Sequence, residues 1–332
     1  MKKALKTILL ILILLILIFV FYFFVGKSKP AEKVEWGVTF SKRTAIDFGM
    51  DWKQTFLAIL DDLKVKKIRL IAYWDEIEPA EDVYNFDDLD WQVNEIEKRG
   101  GEIILAVGRR LPRWPECFEP EWIKTKGLSE KEKQPEILDF ISETINHYKD
   151  RQSIKIWQVE NEPFLRTFGE CPWPDKKFLN REIALAKYLD SSRPIMITES
   201  GEFSTWIGGA KRADIIGTSV YRKVYGKLGY VKYPIPAVFY QRKIALINFL
   251  FNIDEIIAIE VQAEPWGHKS TQEMTADEQD ISMSFEQFED VLEYTKEAGF
   301  NKAYLWGVEW WYWRMKNFDD SRFWERAKNL FK

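Results

Sequence analysis

Eight short runs of apolar, β-branched residues recur along this chain, at 34–40, 67–73, 102–108, 154–159, 194–198, 213–220, 256–261 and 302–307. Helical patterns separate them. In 88–99, Leu89, Val93 and Ile96 share one face, and Gly100-Gly101 follows as a stop. Leu138, Ile141 and Ile145 share a face ahead of the fourth run. Ser284 and Gln287 read as a capping box opening a helix that stops at Gly299. Only a short Gly-containing stretch around 206–210 can be the helix between the fifth and sixth runs. Eight strand–helix units in 332 residues predict one closed parallel (β/α)8 TIM barrel. A doubly wound open sheet is the alternative. It would carry a Gly-rich phosphate turn after the first strand, where Phe40-Ser41-Lys42-Arg43 stands.

Ahead of the first strand, Ile8 to Val25 are 18 unbroken apolar or aromatic residues, preceded by Lys2, Lys3 and Lys6. That length predicts a transmembrane helix. A cleaved signal peptide has a shorter apolar region and small residues at its cleavage site, which Phe23, Phe24 and Val25 do not supply. The expected layout is an uncleaved signal anchor over 1–25, a tether over 26–33 and a barrel over 34–332. The barrel would then stand close to the bilayer, on its extracytoplasmic side.

Charge and histidine content narrow the chemistry. A net charge of −4 with no basic stripe speaks against a nucleic-acid partner. The two histidines, His147 and His268, are far apart in sequence, so neither a His-based triad nor a zinc centre is expected. No metal and no cofactor is expected at all, which leaves carboxylates. In a barrel, the active face is where strands end and βα loops begin. The fourth run ends Glu160-Asn161-Glu162-Pro163, and the seventh carries Glu260, with Glu264 four residues on. Strands four and seven face each other across the mouth. Two such carboxyls can flank a glycosidic bond, one protonating the leaving oxygen and one attacking the anomeric carbon; a gap of about 5–5.5 Å belongs to retention.

Asn161-Glu162-Pro163 after a fourth strand, with Glu260 ending a seventh, resembles the clan of retaining barrel glycosidases, clan A. Arg69-Leu70, then Tyr73-Trp74-Asp75-Glu76-Ile77-Glu78-Pro79 and Tyr84-Asn85-Phe86, is similar to the second strand and loop of its cellulase-type and β-galactosidase-type families. The resemblance implies a glycoside hydrolase with Glu162 as acid/base and Glu260 as nucleophile. It implies that Asn161 bonds the sugar 2-hydroxyl, that Arg69 keeps the nucleophile ionised and that Tyr221 orients it. It also implies an eighth-strand Trp beneath the attacked sugar, Trp306 first and Trp310 second. Glu264 is the rival nucleophile. Glu199, ending the fifth strand, is expected to line the mouth.

Aromatic residues gather beyond the strand ends, among them Trp114, Trp173 and Trp266, and their faces suit the apolar C–H faces of a carbohydrate. Cys117 and Cys171 fall in the loops after strands three and four, which lie side by side, so a disulfide is expected in an oxidising space. A carbohydrate-binding barrel without activity, or a transglycosidase, would share most of these features. A barrel for phosphorylated substrates would need a Gly-rich cradle where Gln262-Ala263-Glu264-Pro265 stands.

Overall fold

A computed structural model describes residues 2–173 and 175–332. Eight parallel strands close into a barrel: β1 (Glu35–Thr39), β2 (Lys67–Ile71), β3 (Glu102–Val107), β4 (Ile154–Val159), β5 (Ile195–Glu199), β6 (Ile215–Val220), β9 (Glu255–Gln262) and β10 (Lys302–Trp306). The remaining pair, β7 (Lys223–Gly226) and β8 (Gly229–Lys232), is an antiparallel hairpin placed after β6, on the active face. Periodicity had not marked it.

Alternation decides which side chains reach the barrel axis. In β3, Ile103, Leu105 and Val107 pack outward in the main core while Ile104 joins an inner cluster with Ile156, Met196, Ile215, Ile257, Ile259 and Tyr304. In β2, Ile68 and Leu70 pack outward, so Arg69 between them points inward. Strand β9 needs one more device. Ile257 and Ile259 face inward, so simple alternation would send Glu260 out among the helices. The pairing slips by one residue: Thr218 opposes Ala258, yet Ser219 opposes Glu260. The same slip occurs against β10. This bulge turns Glu260 toward the mouth.

The helices on the outside follow local signals. Ser284 caps Phe285–Glu297 with the expected capping box, and Phe288, Val291 and Leu292 supply its buried stripe. The link between β5 and β6 is reduced to Ile207–Ala210, as its short sequence requires.

The N-terminal helix spans Lys2–Phe24, and an 18-residue stretch within Lys3–Phe24 has a mean hydropathy of 3.3, long and apolar enough to cross a membrane. Its last turn does not hang free. Phe23 and Phe24 pack on Phe239, with ring centroids 5.8 and 5.2 Å apart. The expected tether is bound over part of its length: the Lys29 amide donates to Gln241 Oε1 at 3.0 Å and the Ala31 amide to the Lys296 carbonyl at 2.9 Å.

Candidate active site

At the C-terminal mouth of the barrel, Arg69 organises the groups the sequence singled out. It is fully buried. Its Nη1 donates to Glu260 Oε1 at 2.8 Å, Nη2 to Asn161 Oδ1 at 2.7 Å and Nε to Gln158 Oε1 at 2.8 Å. A guanidinium satisfies this many acceptors only because its donors are fixed in one plane. Tyr221 OH stands 3.4 Å from the other oxygen, Glu260 Oε2. Both oxygens of Glu260 are thereby aimed.

Glu162 has a different setting. Its backbone sits at φ 40°, in the left-handed region that a non-glycine residue enters at a cost. The Glu162 amide donates to Thr198 Oγ1 at 2.7 Å, which holds that turn. The carboxyl receives one long contact, from Ser219 Oγ at 3.4 Å, and Ser219 is the register partner of Glu260. Strands four and seven therefore bring the two carboxyls to one place. Burial pushes the Glu162 carboxyl well above the usual carboxylate range, and the charge of Glu260 pushes the same way.

Further glutamates belong to the mouth. Sequence reading passed over Glu116 and Glu202, together with Arg113. Glu116 Oε2 accepts from Arg110 Nε and Nη2 at 2.9 and 2.6 Å, while Oε1 accepts from Asn161 Nδ2 at 3.2 Å. The Asn161 amide is thus held at both ends, its oxygen by Arg69 and its nitrogen by Glu116. Burial pushes the Glu116 carboxyl up to about 7, against the pull of Arg110. Glu202 accepts from the Tyr221 amide, Tyr240 OH and Ser219 Oγ. Arg113 reaches across the mouth to Glu264 and to Glu309 Oε2, the latter at 3.0 Å. The Arg109-Arg110-Leu111-Pro112-Arg113 run after β3 was the available signal. A cluster of three arginines on the active face calls for anionic partners in the same loops.

Cys117 and Cys171 form the disulfide, with Cα atoms 5.3 Å apart, and it joins the loop bearing Arg113 and Glu116 to the loop after Glu162. Glu160, two residues before Glu162, accepts from the Arg109 and Arg110 amides at 2.7 and 2.9 Å and so latches the β3 loop to β4.

Two expectations need correction. Trp310 does not face the mouth. The chain turns from β10 straight into the helix Val308–Phe318, which carries Trp310 into the core against Phe323, with Nε1 bonded to Gln279 Oε1 at 2.9 Å. Strand spacing could not show that the run had already become a helix. Glu199 also turns away from the mouth: its carboxylate accepts from the Gly209 amide and Ser204 Oγ, closing the short helix Ile207–Ala210. Trp306 ends β10 beside Glu264, to whose Oε1 its Nε1 donates at 2.8 Å, and the Arg113 guanidinium lies 4.1 Å from its ring centroid. Tyr221, Trp266, Phe168 and Trp114 form a chain of edge contacts with centroids 5.2, 5.3 and 5.6 Å apart, and Trp114 is open to solvent. Among the described residues, no three His, Cys, Asp or Glu side chains are grouped to hold a metal ion.

Family models, with which the closed parallel barrel agrees, show that this chain is a glycoside hydrolase. It belongs to the glycosyl hydrolases family 2, TIM barrel domain, whose family model matches residues 115–310, more than half of the chain. A β-galactosidase model of family 42 matches residues 51–139. Solved structures agree on the fold. A GH5_18 protein from Streptomyces cattleya in complex with GlcNAc is 12% identical, with a TM-score of 0.56 over 83% of this chain and 71% of that one. A GH5_18 protein from Bifidobacterium longum in complex with Manb1-4GlcNAc is 12% identical, with a TM-score of 0.58 over 82% and 68%. A β-galactosidase from a Rahnella species is 12% identical, with a TM-score of 0.57 over 92% of this chain but only 57% of that one.

Proposed function

We propose that this chain is a retaining glycoside hydrolase acting on β-glycosidic bonds of an oligo- or polysaccharide, with Glu162 as acid/base and Glu260 as nucleophile. One observation carries the reading: the two facing carboxyls have opposite surroundings. Glu260 is held by a guanidinium and a phenol, whereas Glu162 is buried, forms no salt bridge among the described residues and is driven toward its protonated form. An acid must keep a proton at neutral pH, and a nucleophile must present a free lone pair. Glu162 would protonate the leaving oxygen while Glu260 attacks the anomeric carbon. The Glu162 carboxylate would then take a proton from the water that releases the sugar. Asn161, with its amide fixed by Arg69 and Glu116, supports a bond to the 2-hydroxyl. Trp306 supports a stacking floor. Glu264 is the weaker candidate, because it lies in the loop beyond β9, whereas Glu260 is fixed within the strand. We place the barrel on the extracytoplasmic face of a membrane, with 1–25 as its anchor and 34–332 as the catalytic domain; the disulfide fits an oxidising compartment.

The test uses an aryl β-glycoside whose leaving group needs no protonation. Glu162→Gln should accumulate the glycosyl-enzyme, and azide should restore turnover with a β-glycosyl azide as product. Glu260→Gln should abolish both steps. A fluorinated glycoside should label the Glu260 peptide. Label on Glu264 would move the nucleophile, and an inverted product with nothing trapped would end the retaining mechanism.

A further inference from the structure

The helix Ala237–Leu250 between the hairpin and β9 is apolar on most sides. Its outer face carries a continuous stripe. Val238, Phe239, Arg242, Leu246, Phe249 and Leu250 fall within an arc of roughly 120° at 3.6 residues per turn. The first half of that stripe is covered. Phe23 and Phe24 of the N-terminal helix pack on Phe239, and Tyr22 lies 5.0 Å from the Arg242 guanidinium. The second half is bare: Phe249 is 84% exposed and Leu250 50%.

The direction of the two helices says what covers it. Phe24, at the end of the span, meets Phe239. Arg242, about one turn further along the barrel helix, lies beside Tyr22 and lines an apolar cleft that extends from Val25 along the span to Leu17 and Ile18. Advancing toward Phe249 along the barrel helix therefore advances into the level occupied by the span. An apolar stripe that continues an anchor contact, at the depth of the anchor's own apolar residues, has lipid as its neighbour.

We propose that the barrel lies against the bilayer through the C-terminal half of Ala237–Leu250, with Phe249 and Leu250 in the interfacial region. This rests on reading 1–25 as an uncleaved anchor. The barrel is then held in one pose on the membrane by two contacts, not swung on a flexible tether.

The test uses the full chain in phosphatidylcholine vesicles. Its two native cysteines are paired, so Phe249→Cys offers a single thiol for an environment-sensitive dye. Lys98→Cys, below the opposite wall of the barrel between β2 and β3, is the matched control. The expected result is a blue-shifted emission at position 249 that spin-labelled lipid largely quenches, with neither effect at position 98. Two dyes that respond alike, on a chain that stays with the vesicles through alkaline carbonate, overturn this pose and leave the anchor standing. A blue shift at position 249 without quenching by lipid assigns the stripe to a second copy of the chain and overturns the lipid contact. A chain that carbonate strips from the vesicles overturns the anchor and the pose together.

Discussion

Replacing both Cys117 and Cys171 by Ser removes the bridge that spans 54 residues between the β3 and β4 loops. Chain-entropy reasoning for a closed loop of that length gives ~4 kcal/mol of lost stability. With an unfolding entropy of about 2 cal/mol/K per residue over the barrel, the melting temperature should fall by about 6–7 °C. The native loops retain other ties. The Glu170 amide donates to the Pro115 carbonyl at 2.9 Å, and Arg110 donates to the Leu165 and Phe168 carbonyls at 2.7 and 2.9 Å. These hold the loops in the folded state but place no restraint on the unfolded chain, so they do not replace the bridge. Activity should fall with stability, because Glu116, next to Cys117, fixes the Asn161 amide. The loss should lie in kcat, by about tenfold, with a smaller change in KM. Denaturant unfolding of oxidised wild type and the double variant, in the same detergent, measures the first quantity; turnover of an aryl glycoside measures the second. A stability difference under about 1 kcal/mol with unchanged kcat would show that the noncovalent ties already close these loops in both states.

Further expectations concern the charges of the mouth. Burial pushes the Glu309 carboxyl up from 4.5 to about 7. A raised carboxyl costs nothing below its unfolded value and its full penalty above its folded one, so between pH 4 and 8 wild type should lose ~3 kcal/mol relative to Glu309→Gln. Unfolding both proteins at the two pH values gives that difference; a gap that stays constant with pH would contradict it. Arg69→Met strands Glu260, Asn161 and Gln158 without their donor, and should destabilise the barrel by about 3–5 kcal/mol, read as a fall in denaturation midpoint. Gly108 has φ +119°, and a Cβ there would collide with the Glu160 carboxylate. Gly108→Ala should therefore lower the melting temperature and raise hydrogen exchange at the Arg109 and Arg110 amides that Glu160 holds.

The barrel was legible because its signal is repeated. Each of the eight strand runs is weak, but a closed ring needs all of them in order, and each lies within a few residues of its strand. The positions of the two carboxyls proposed for catalysis were legible because Asn161-Glu162-Pro163 follows β4 and Glu260 lies near the end of β9, where backbone position is set by the sheet. What escaped has a common cause. Trp310 follows β10 by a few residues, and nothing local marks whether a run of apolar residues stays extended or coils. Glu116, Glu202 and Arg113 act through partners distant in sequence, such as Glu116 with Asn161 and Arg113 with Glu264 and Glu309. The bulge in β9 is invisible as well. Strict alternation from Ile257 and Ile259 places Glu260 on the wrong side, and only pairing with β6 and β10 reveals the extra residue.

Cations are distributed unevenly across the carboxyls of the mouth. Three arginines serve it. Arg69 pairs with Glu260, Arg110 with Glu116, and Arg113 with both Glu264 and Glu309. Among the described residues Glu202 forms no salt bridge but accepts from two hydroxyls and an amide. Glu162 has neither provision: among the described residues no lysine, arginine or histidine pairs with it, and a single hydroxyl approaches it at 3.4 Å. Its negative form is therefore the one the fold stabilises least, and a proton is the cheapest remaining partner. Arg69 sharpens the difference, because it serves Glu260 directly and Asn161, the neighbour of Glu162, but not Glu162 itself. A cation placed beside Glu162 should erase the asymmetry. Ser219→Lys, on the register partner of Glu260, would bring an ammonium to Glu162 and lower its proton affinity. Glycosylation of a poor leaving group should then fall much further than that of an activated one. Equal losses on both substrates would mean that Glu162 does not deliver the proton.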